Sequence, residues 1–240
     1  LMMFNKKDNH IPVLLPEVLA LLQPEDNKTY IDATFGAGGY SKAILEQANC
    51  NLYAFDRDPD VAEYAADLQS KYSDRFKFFN KPFSNIKETL EKFKLGKVNG
   101  VVFDLGVSSM QLDEAERGFS FMQEGELDMR MEKTGISAKD VVNSLSETDL
   151  ADVIYRYGDE KRSRKIAKYI VAAREKEVIG TTMELAQIIK SAVGSGKKQK
   201  IDPSTKTFQA IRIYVNQELL ELEKALRQVD EITCSPSQRP

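Results

Sequence analysis

The sequence has no tryptophan, two cysteines and a single histidine in 240 residues. Cys50 and Cys234 offer neither a disulfide framework nor metal-ligand spacing, which fits a reducing, cytoplasmic setting. With His10 as the lone imidazole, no metal site is expected. Long apolar runs are also missing. The longest, Ile11 to Leu22, is broken by Pro16 and Glu17 and is too short to span a bilayer. No apolar signal core follows the N-terminal Leu1 to Asp8, so neither a membrane nor a secretory destination is expected. There is no Gly-x4-Gly-Lys-Ser/Thr phosphate cradle, which argues against a nucleoside triphosphate. The two signs of charge nearly balance overall, the net being −3. Their distribution is uneven, however: Ser137 to Arg212 carries a net +5. Such a segment forms either a local phosphate-facing surface or a set of solvated helix faces.

What is present is an alternation of short apolar runs and helical patterns. Tyr30–Phe35, Asn51–Phe55, Phe76–Phe79 and Val98–Phe103 read as strands. Helices are expected over Ser41–Ala48, Pro59–Lys71 and Ser84–Phe93, with Ser84 as a cap. This rhythm predicts an α/β fold with a parallel sheet. From Leu105 to Gly135 the periodicity stops, and a structureless stretch of that length is usually functional. Helices resume over Ala138–Leu145, Glu147–Tyr157, Glu160–Lys176 and Met183–Val193. A basic linker, Gly194 to Lys200, leads to one long helix, Thr205–Gln228. Its apolar stripe is Phe208, Ile211, Val215, Leu219, Leu222 and Leu226.

The candidate site is the turn Gly36-Ala37-Gly38-Gly39 between the first strand and its helix. Glycine lets backbone N–H groups approach a ligand closely. In such sheets ligands sit at the carboxyl ends of the strands, where strand order reverses. Asp32, Asp56 and Asp104 all fall at or near such ends. Asp56 lies 18 residues beyond Gly38, where a carboxylate can take both hydroxyls of an adenosine ribose. For a dinucleotide a third glycine is wanted where Ser41 stands. Asp32, just ahead of the turn, would oppose a pyrophosphate and suit a cationic ligand with an amino group and a sulfonium. S-adenosyl-L-methionine has both, so a methyltransferase is favoured over a nucleotide-dependent oxidoreductase. The alternative for Asp32 is burial, with its oxygens satisfied by backbone donors.

Several strings carry a more specific likeness. They are His10-Ile11-Pro12-Val13-Leu14-Leu15, Asp32-Ala33-Thr34-Phe35-Gly36-Ala37-Gly38-Gly39, Asp56-Arg57-Asp58-Pro59 and Asp104-Leu105-Gly106-Val107-Ser108-Ser109-Met110-Gln111-Leu112. Glu116-Arg117-Gly118-Phe119-Ser120-Phe121, Leu127-Asp128-Met129-Arg130-Met131, Tyr157-Gly158-Asp159-Glu160 and Thr205-Lys206-Thr207-Phe208-Gln209-Ala210-Ile211-Arg212 follow in order. With these, residues 10–228 resemble the ribosomal RNA small-subunit methyltransferase H family, bacterial enzymes that methylate the N4 amine of a cytidine in 16S rRNA. The resemblance implies a Rossmann-like class I S-adenosylmethionine-dependent methyltransferase sheet, residues 1–105 and 205–228, and an inserted helical RNA-recognition domain, 106–204. It implies cofactor contacts at Gly38, Gly39, Tyr40, Asp56, Phe83, Asp104 and Gln111. Tyr40 replaces a histidine often found there, a change that a backbone contact would survive.

Neither the resemblance nor the residues single out a catalytic base; Asp104 and Asp128 are the candidates. The family's C-terminal Gly-Gly-Arg-Leu and Ser-Phe-His-Ser-Leu-Glu-Asp-Arg segments are not found, and 229–240 reads as an unmatched polar tail. A truncated chain is therefore expected, with its fourth strand an open edge. A non-catalytic RNA-binding remnant of the same fold is the competing reading. The basic residues Lys161, Arg162, Arg164, Lys165 and Lys168, with Lys197, Lys198 and Lys200, are expected to face rRNA in the small subunit. Reversing several of these charges should weaken RNA binding and leave cofactor affinity unchanged. Parallel RNA-binding and cofactor titrations check this, and equal loss of both would refute the division of labour.

Overall fold

The computed structural model describes residues 12–194 and 202–234. Lys197, Lys198, Lys200, His10 and Ile11 therefore lie outside the described residues. The chain forms two compact units, Leu1–Gly106 with Leu220–Pro240, and Val107–Leu219.

The first unit begins with α1 (Leu15–Leu22), whose Pro16 occupies a first-turn position that needs no N–H donor. Four strands follow: β1 (Thr29–Asp32), β2 (Asn51–Asp56), β3 (Phe76–Asn80) and β4 (Gly100–Val102). Between them come α2 (Gly39–Gln47), α3 (Ala62–Lys71) and α4 (Ile86–Lys92). All strand pairs are parallel, in the order β3-β2-β1-β4. Three strands thus run outward in one direction, and the fourth crosses back to lie beside β1. The reversal point is between β1 and β4. Alternate residues point to opposite faces: Ile31, Tyr53 and Phe55 share one core with Ile86, Leu90 and Val98. On the opposite face Tyr30 lies close to Gly100, where an added Cβ would fall 3.3 Å from the Tyr30 ring and 2.5 Å from Leu22. Each large apolar side chain buried this way is worth roughly 1.5–3 kcal/mol. Among the described residues no helix is long and apolar enough to cross a membrane.

The second unit holds α5 (Ser109–Asp113), α6 (Ala138–Ser144), α7 (Glu147–Gly158), α8 (Ser163–Arg174), α9 (Thr182–Val193) and α10 (Ser204–Val215). Ser108, Ser137, Ser146 and Thr181 each accept a first-turn N–H, so the sequence marks most of these helix starts itself. Leu150, Ile154, Ile166, Ile170, Leu185 and Ile189 form the centre of its core. The aperiodic stretch joins that core through Phe119, Leu127, Met129 and Met131. It is a packed loop. Its shape is held by buried Arg117, which donates to the carbonyls of Arg130 and Met131, both at 3.1 Å.

Five expectations need correction. The helix from Thr205 is broken at Asn216–Gln217, giving α10 and α11 (Glu218–Ile232). Asn216 turns its side chain to the Met129 carbonyl (2.7 Å) and the Met131 N–H (2.8 Å), and Gln217 takes a left-handed φ of 49°. The predicted stripe then fails, because Leu219 and Leu226 are both 54% exposed while Glu221, Ala225 and Ile232 are buried. Accordingly the boundary between units falls at Leu219–Leu220 and not at 204–205, since α10 packs with α7. Ser84 caps nothing; its hydroxyl donates to the buried Glu221 carboxylate. Nor does the polar tail begin at 229. Ile232 is buried, and residues 232–234 pair with the edge beside β4 through Val98 N–H to Ile232 O and Cys234 N–H to Val98 O, each 2.9 Å. The fourth strand is an edge, but its approach is covered.

Gly158, at the end of α7, lies against the α10 backbone: an added Cβ would sit 2.4 Å from the Lys206 carbonyl oxygen. A backbone atom cannot swing aside as a side chain does. Gly158→Ala should cost roughly 1–3 kcal/mol of stability, read as a lowered urea midpoint. An unchanged midpoint would show that α7 and α10 are not in such close contact.

Candidate cofactor site

The carboxyl ends of β1, β2 and β4 converge on the turn that follows β1. Ala33 N–H donates to the Val102 carbonyl and Phe35 N–H to the Phe55 carbonyl, both at 2.9 Å, so the chain is stitched to β4 and then to β2 as it leaves the sheet. Asp56 Oδ2 accepts from Gly36 N–H at 2.8 Å and Oδ1 from Asp58 N–H at 2.9 Å. Thr34 Oγ1 accepts from Asp104 N–H at 2.7 Å, tying the end of β4 to the same turn.

Asp32 is fully buried. Its Oδ2 accepts from the Ser41 hydroxyl at 2.7 Å and its Oδ1 from Thr34 N–H at 3.2 Å. It thus bridges the end of β1 to the first turn of α2; it is buried, as the alternative had it, with one of its two donors the Ser41 side chain and the other backbone. Its charge still acts at a distance. Burial pushes its pKa up to about 6, with further upward pressure from Asp56 and Asp104 that the Ser41 and Thr34 hydrogen bonds oppose. Asp56 is also pushed up by burial, against the N–H groups of Asp58 and Gly36. Three carboxylates therefore share one end of the sheet and feel one another.

The glycines do a different job from the one expected. Gly38 has φ +79°, and a Cβ there would meet the Phe35 ring at 2.8 Å; at Gly39 a Cβ would meet Pro12 at 2.4 Å. Both spare their space for the chain itself. Only above Gly36 would a Cβ find open space within 4 Å, and that is the open face of the turn. The N-terminus of α2 has no side-chain cap at Gly38, so backbone donors of its first turn are available to a ligand.

The other expected contacts divide. The Tyr40 side chain is buried and its hydroxyl donates to the Val13 carbonyl, which leaves only a backbone contact. Phe83 is half-buried beyond β3, its ring edge-on to Phe103 with centroids 5.6 Å apart. Asp104 is exposed after β4. Gln111 belongs to the second unit, buried, where its side chain accepts from Ser108 N–H in the cap of α5. Asp128, also in the second unit, is held by Arg130 through bonds of 2.9 and 2.7 Å. Burial pushes its pKa up, but the Arg130 hydrogen bonds outweigh that and leave it below the ordinary carboxylate value. It is a poor proton acceptor. Thr34 and Ser41 were missed by the sequence reading. Their only signal is hydroxyls flanking a glycine turn near an acid.

The description "MraW methylase family" belongs to the family model that matches residues 7–235. The chain belongs to the MraW methylase family. Its match continues seven residues past Gln228, the last residue of the resemblance drawn from the motifs, and membership removes the oxidoreductase reading. The MraW-family chain is 56% identical over 224 residues to the ribosomal RNA small subunit methyltransferase H of Wolbachia sp. subsp. Drosophila simulans (strain wRi), covering 93% of this chain and 76% of that one. The protein of the same name from Orientia tsutsugamushi (strain Ikeda) is 54% identical over 226 residues, covering 93% and 72%. That from Rickettsia felis (strain ATCC VR-1525 / URRWXCal2) is 55% identical over 224 residues, again covering 93% and 72%. A solved rRNA methylase from Streptococcus thermophilus aligns with 52% of this chain and 76% of that one at 17% identity and TM-score 0.34, too distant to bear on fold or function.

In the MraW-family chain the raised pKa of Asp32 has a stability consequence with a definite sign. Between about pH 4 and 6 the folded protein holds a proton at Asp32 that the unfolded chain has released. The Asp32 contribution to stability therefore falls as pH rises through that window, and by neutral pH the burial of the charge costs about 3 kcal/mol. Asp32→Asn removes the titration. Urea unfolding at a series of pH values should show a smaller fall across the window in the variant; an identical profile would mean that Asp32 does not titrate there.

Proposed function

We propose that this chain binds S-adenosyl-L-methionine across the Gly36–Gly39 turn and methylates the N4 exocyclic amine of a cytidine in the 16S rRNA of the small ribosomal subunit, in the cytoplasm. The observation that carries the reading is the set of three carboxylates, Asp32, Asp56 and Asp104, around the point where strand order reverses in a methylase-family sheet. The relatives named as small-subunit rRNA methyltransferases supply the substrate class.

The residues fit a cation that carries an adenosine. An ionised carboxylate offers about four acceptor positions, and the two N–H groups on Asp56 leave room for the two ribose hydroxyls. The first-turn donors of α2 at Gly39 and Tyr40 suit a carboxylate. Asp32, acting through its field, and the exposed Asp104 suit an ammonium and a sulfonium. Phe83 offers a half-buried ring for the adenine; the family resemblance also implies Gln111, which belongs to the second unit. The cofactor supplies an electrophilic methyl group. The chain's residues must hold the amine in line with it, because the lone pair of a cytosine amine is delocalised into the ring. They must also leave a path for the departing proton. Of the two candidate acceptors, Asp104 is exposed at the strand ends, while Asp128 is committed to Arg130. The second unit, with Lys161, Arg162, Arg164, Lys165 and Lys168 all exposed, serves the RNA.

Calorimetric titration should detect S-adenosylhomocysteine binding and no NAD binding. Asp56→Ala should weaken that binding by about tenfold or more, the loss of at least one charged hydrogen bond. Labelled methyl transfer to small ribosomal subunits lacking the modification should be measurable and should fall with the same variant. Cofactor binding without transfer would favour the non-catalytic RNA-binding reading; no cofactor binding would refute the proposal.

A further inference from the structure

A cavity of about 630 Å³ opens between α8 and α9 of the second unit. That volume lies within the usual range for a site that encloses a small organic group. Its floor is apolar: Ile179 is buried and Ile188 packs against the core. One wall follows α8, with Lys168, Tyr169 and Ala172 in sequence and Lys176 just beyond the helix. Tyr169 is 40% exposed, high for an aromatic ring next to a core. Lys165 stands one helical turn before it, its ammonium 5.7 Å from the ring centroid. Ala172, exposed and small, keeps the space between Lys168 and Lys176 open.

The charges around this cavity are not balanced in their availability. Glu184, on the α9 side, is committed to the N–H groups of Gly180 and Thr181 at 2.8 and 2.9 Å. Glu177 is exposed at the rim. The lysines belong to the longer exposed basic run that starts at Lys161. A flat ring, flanking ammonium groups and an apolar floor match a nucleobase with its neighbouring phosphates. An unpaired base can present its face to such a ring, whereas a base within a duplex presents only its edges.

We propose that the α8–α9 groove receives one unpaired nucleotide of the RNA substrate, its base stacked on Tyr169 and its flanking phosphates on Lys168 and Lys176. Glu177 would then meet an exocyclic amine of that base. The groove is a holding site within the second unit, separate from the carboxylates at the strand ends. The inference rests on the reading of this chain as an RNA methyltransferase, and adds which part of the RNA the second unit grips and where.

The test is fluorescence anisotropy of the full chain with a short labelled single-stranded oligoribonucleotide and with a hairpin duplex of the same composition. The single strand should bind more tightly. Tyr169→Ala should weaken its binding roughly tenfold, the usual scale for one stacked base, whereas Tyr169→Phe should bind as the parent does. Ala172→Glu, a change at an exposed helical position, should weaken binding at least as much by filling the groove with a like charge to phosphate. S-adenosylhomocysteine affinity and the far-ultraviolet circular dichroism should be unchanged in all three, the second showing that the helices of the second unit still fold. Parent-like RNA binding by both Tyr169→Ala and Ala172→Glu would overturn the groove while leaving the methyltransferase reading intact, and would leave the groove to a protein partner. Equal losses in Tyr169→Ala and Tyr169→Phe would overturn stacking. Failure of the parent chain to bind any RNA would remove the underlying reading and this one with it.

Discussion

A buried carboxylate sits at the end of the central strand, and the turn around it is built to hold it. Asp32 has no solvent to share its charge, so Ser41 and the Thr34 amide must do so. Because Ser41 is on the first turn of α2, satisfying Asp32 also fixes where that helix starts. Since the same turn is bound by Asp56 on one side and by the Asp104 amide on the other, three strand ends are locked to one loop. The loop is rigid because its hydrogen bonds reach different strands. A turn held only by its own glycines would not be.

Much of this was legible in the sequence, for definable reasons. Short apolar runs ending in Asp56 and Asp104 gave the strands and their carboxyl ends, because a parallel strand buried on both faces needs such runs. The pairing of a glycine turn with an acid one strand later marked that turn as the candidate site. The sequence could not say which glycine faces outward, because that depends on Phe35 and Pro12 occupying the spaces beside Gly38 and Gly39. Nor could it say that the Tyr40 hydroxyl is spent on Val13, a residue 27 positions away. The misread long helix has the same kind of cause. Asn216 ends α10 by reaching Met129 and Met131, 87 and 85 residues earlier, and no local periodicity encodes that.

The second unit shows the complementary case. Two of its helix starts are written locally, as capping boxes at Ser137–Asp140 and Thr181–Glu184, and were placed to within a residue, whereas α8 begins three residues after the expected Glu160. Its aperiodic loop was recognisable only as a departure from pattern. Packing reveals that loop as part of the core, held by Arg117 against its own carbonyls. A buried guanidinium used in this way fixes a shape that an apolar side chain would leave free to slide. The groove between α8 and α9 arises where the capped start of α9 meets a helix, α8, whose start carries no side-chain cap.

The pairing of residues 232–234 with Val98 has a meaning for the order of events during synthesis. The edge beside β4 is completed by a segment more than a hundred residues downstream, and Lys87 on α4 finds its acidic partner at Glu231, 144 residues later. Everything between Val107 and Leu219 must leave the ribosome before that edge closes. Nascent β1 to β4 must therefore wait with one side open while the second unit, rich in local contacts, has the means to fold first. The late segment acts as a latch on the approach to β4, set only when the chain returns to the first unit.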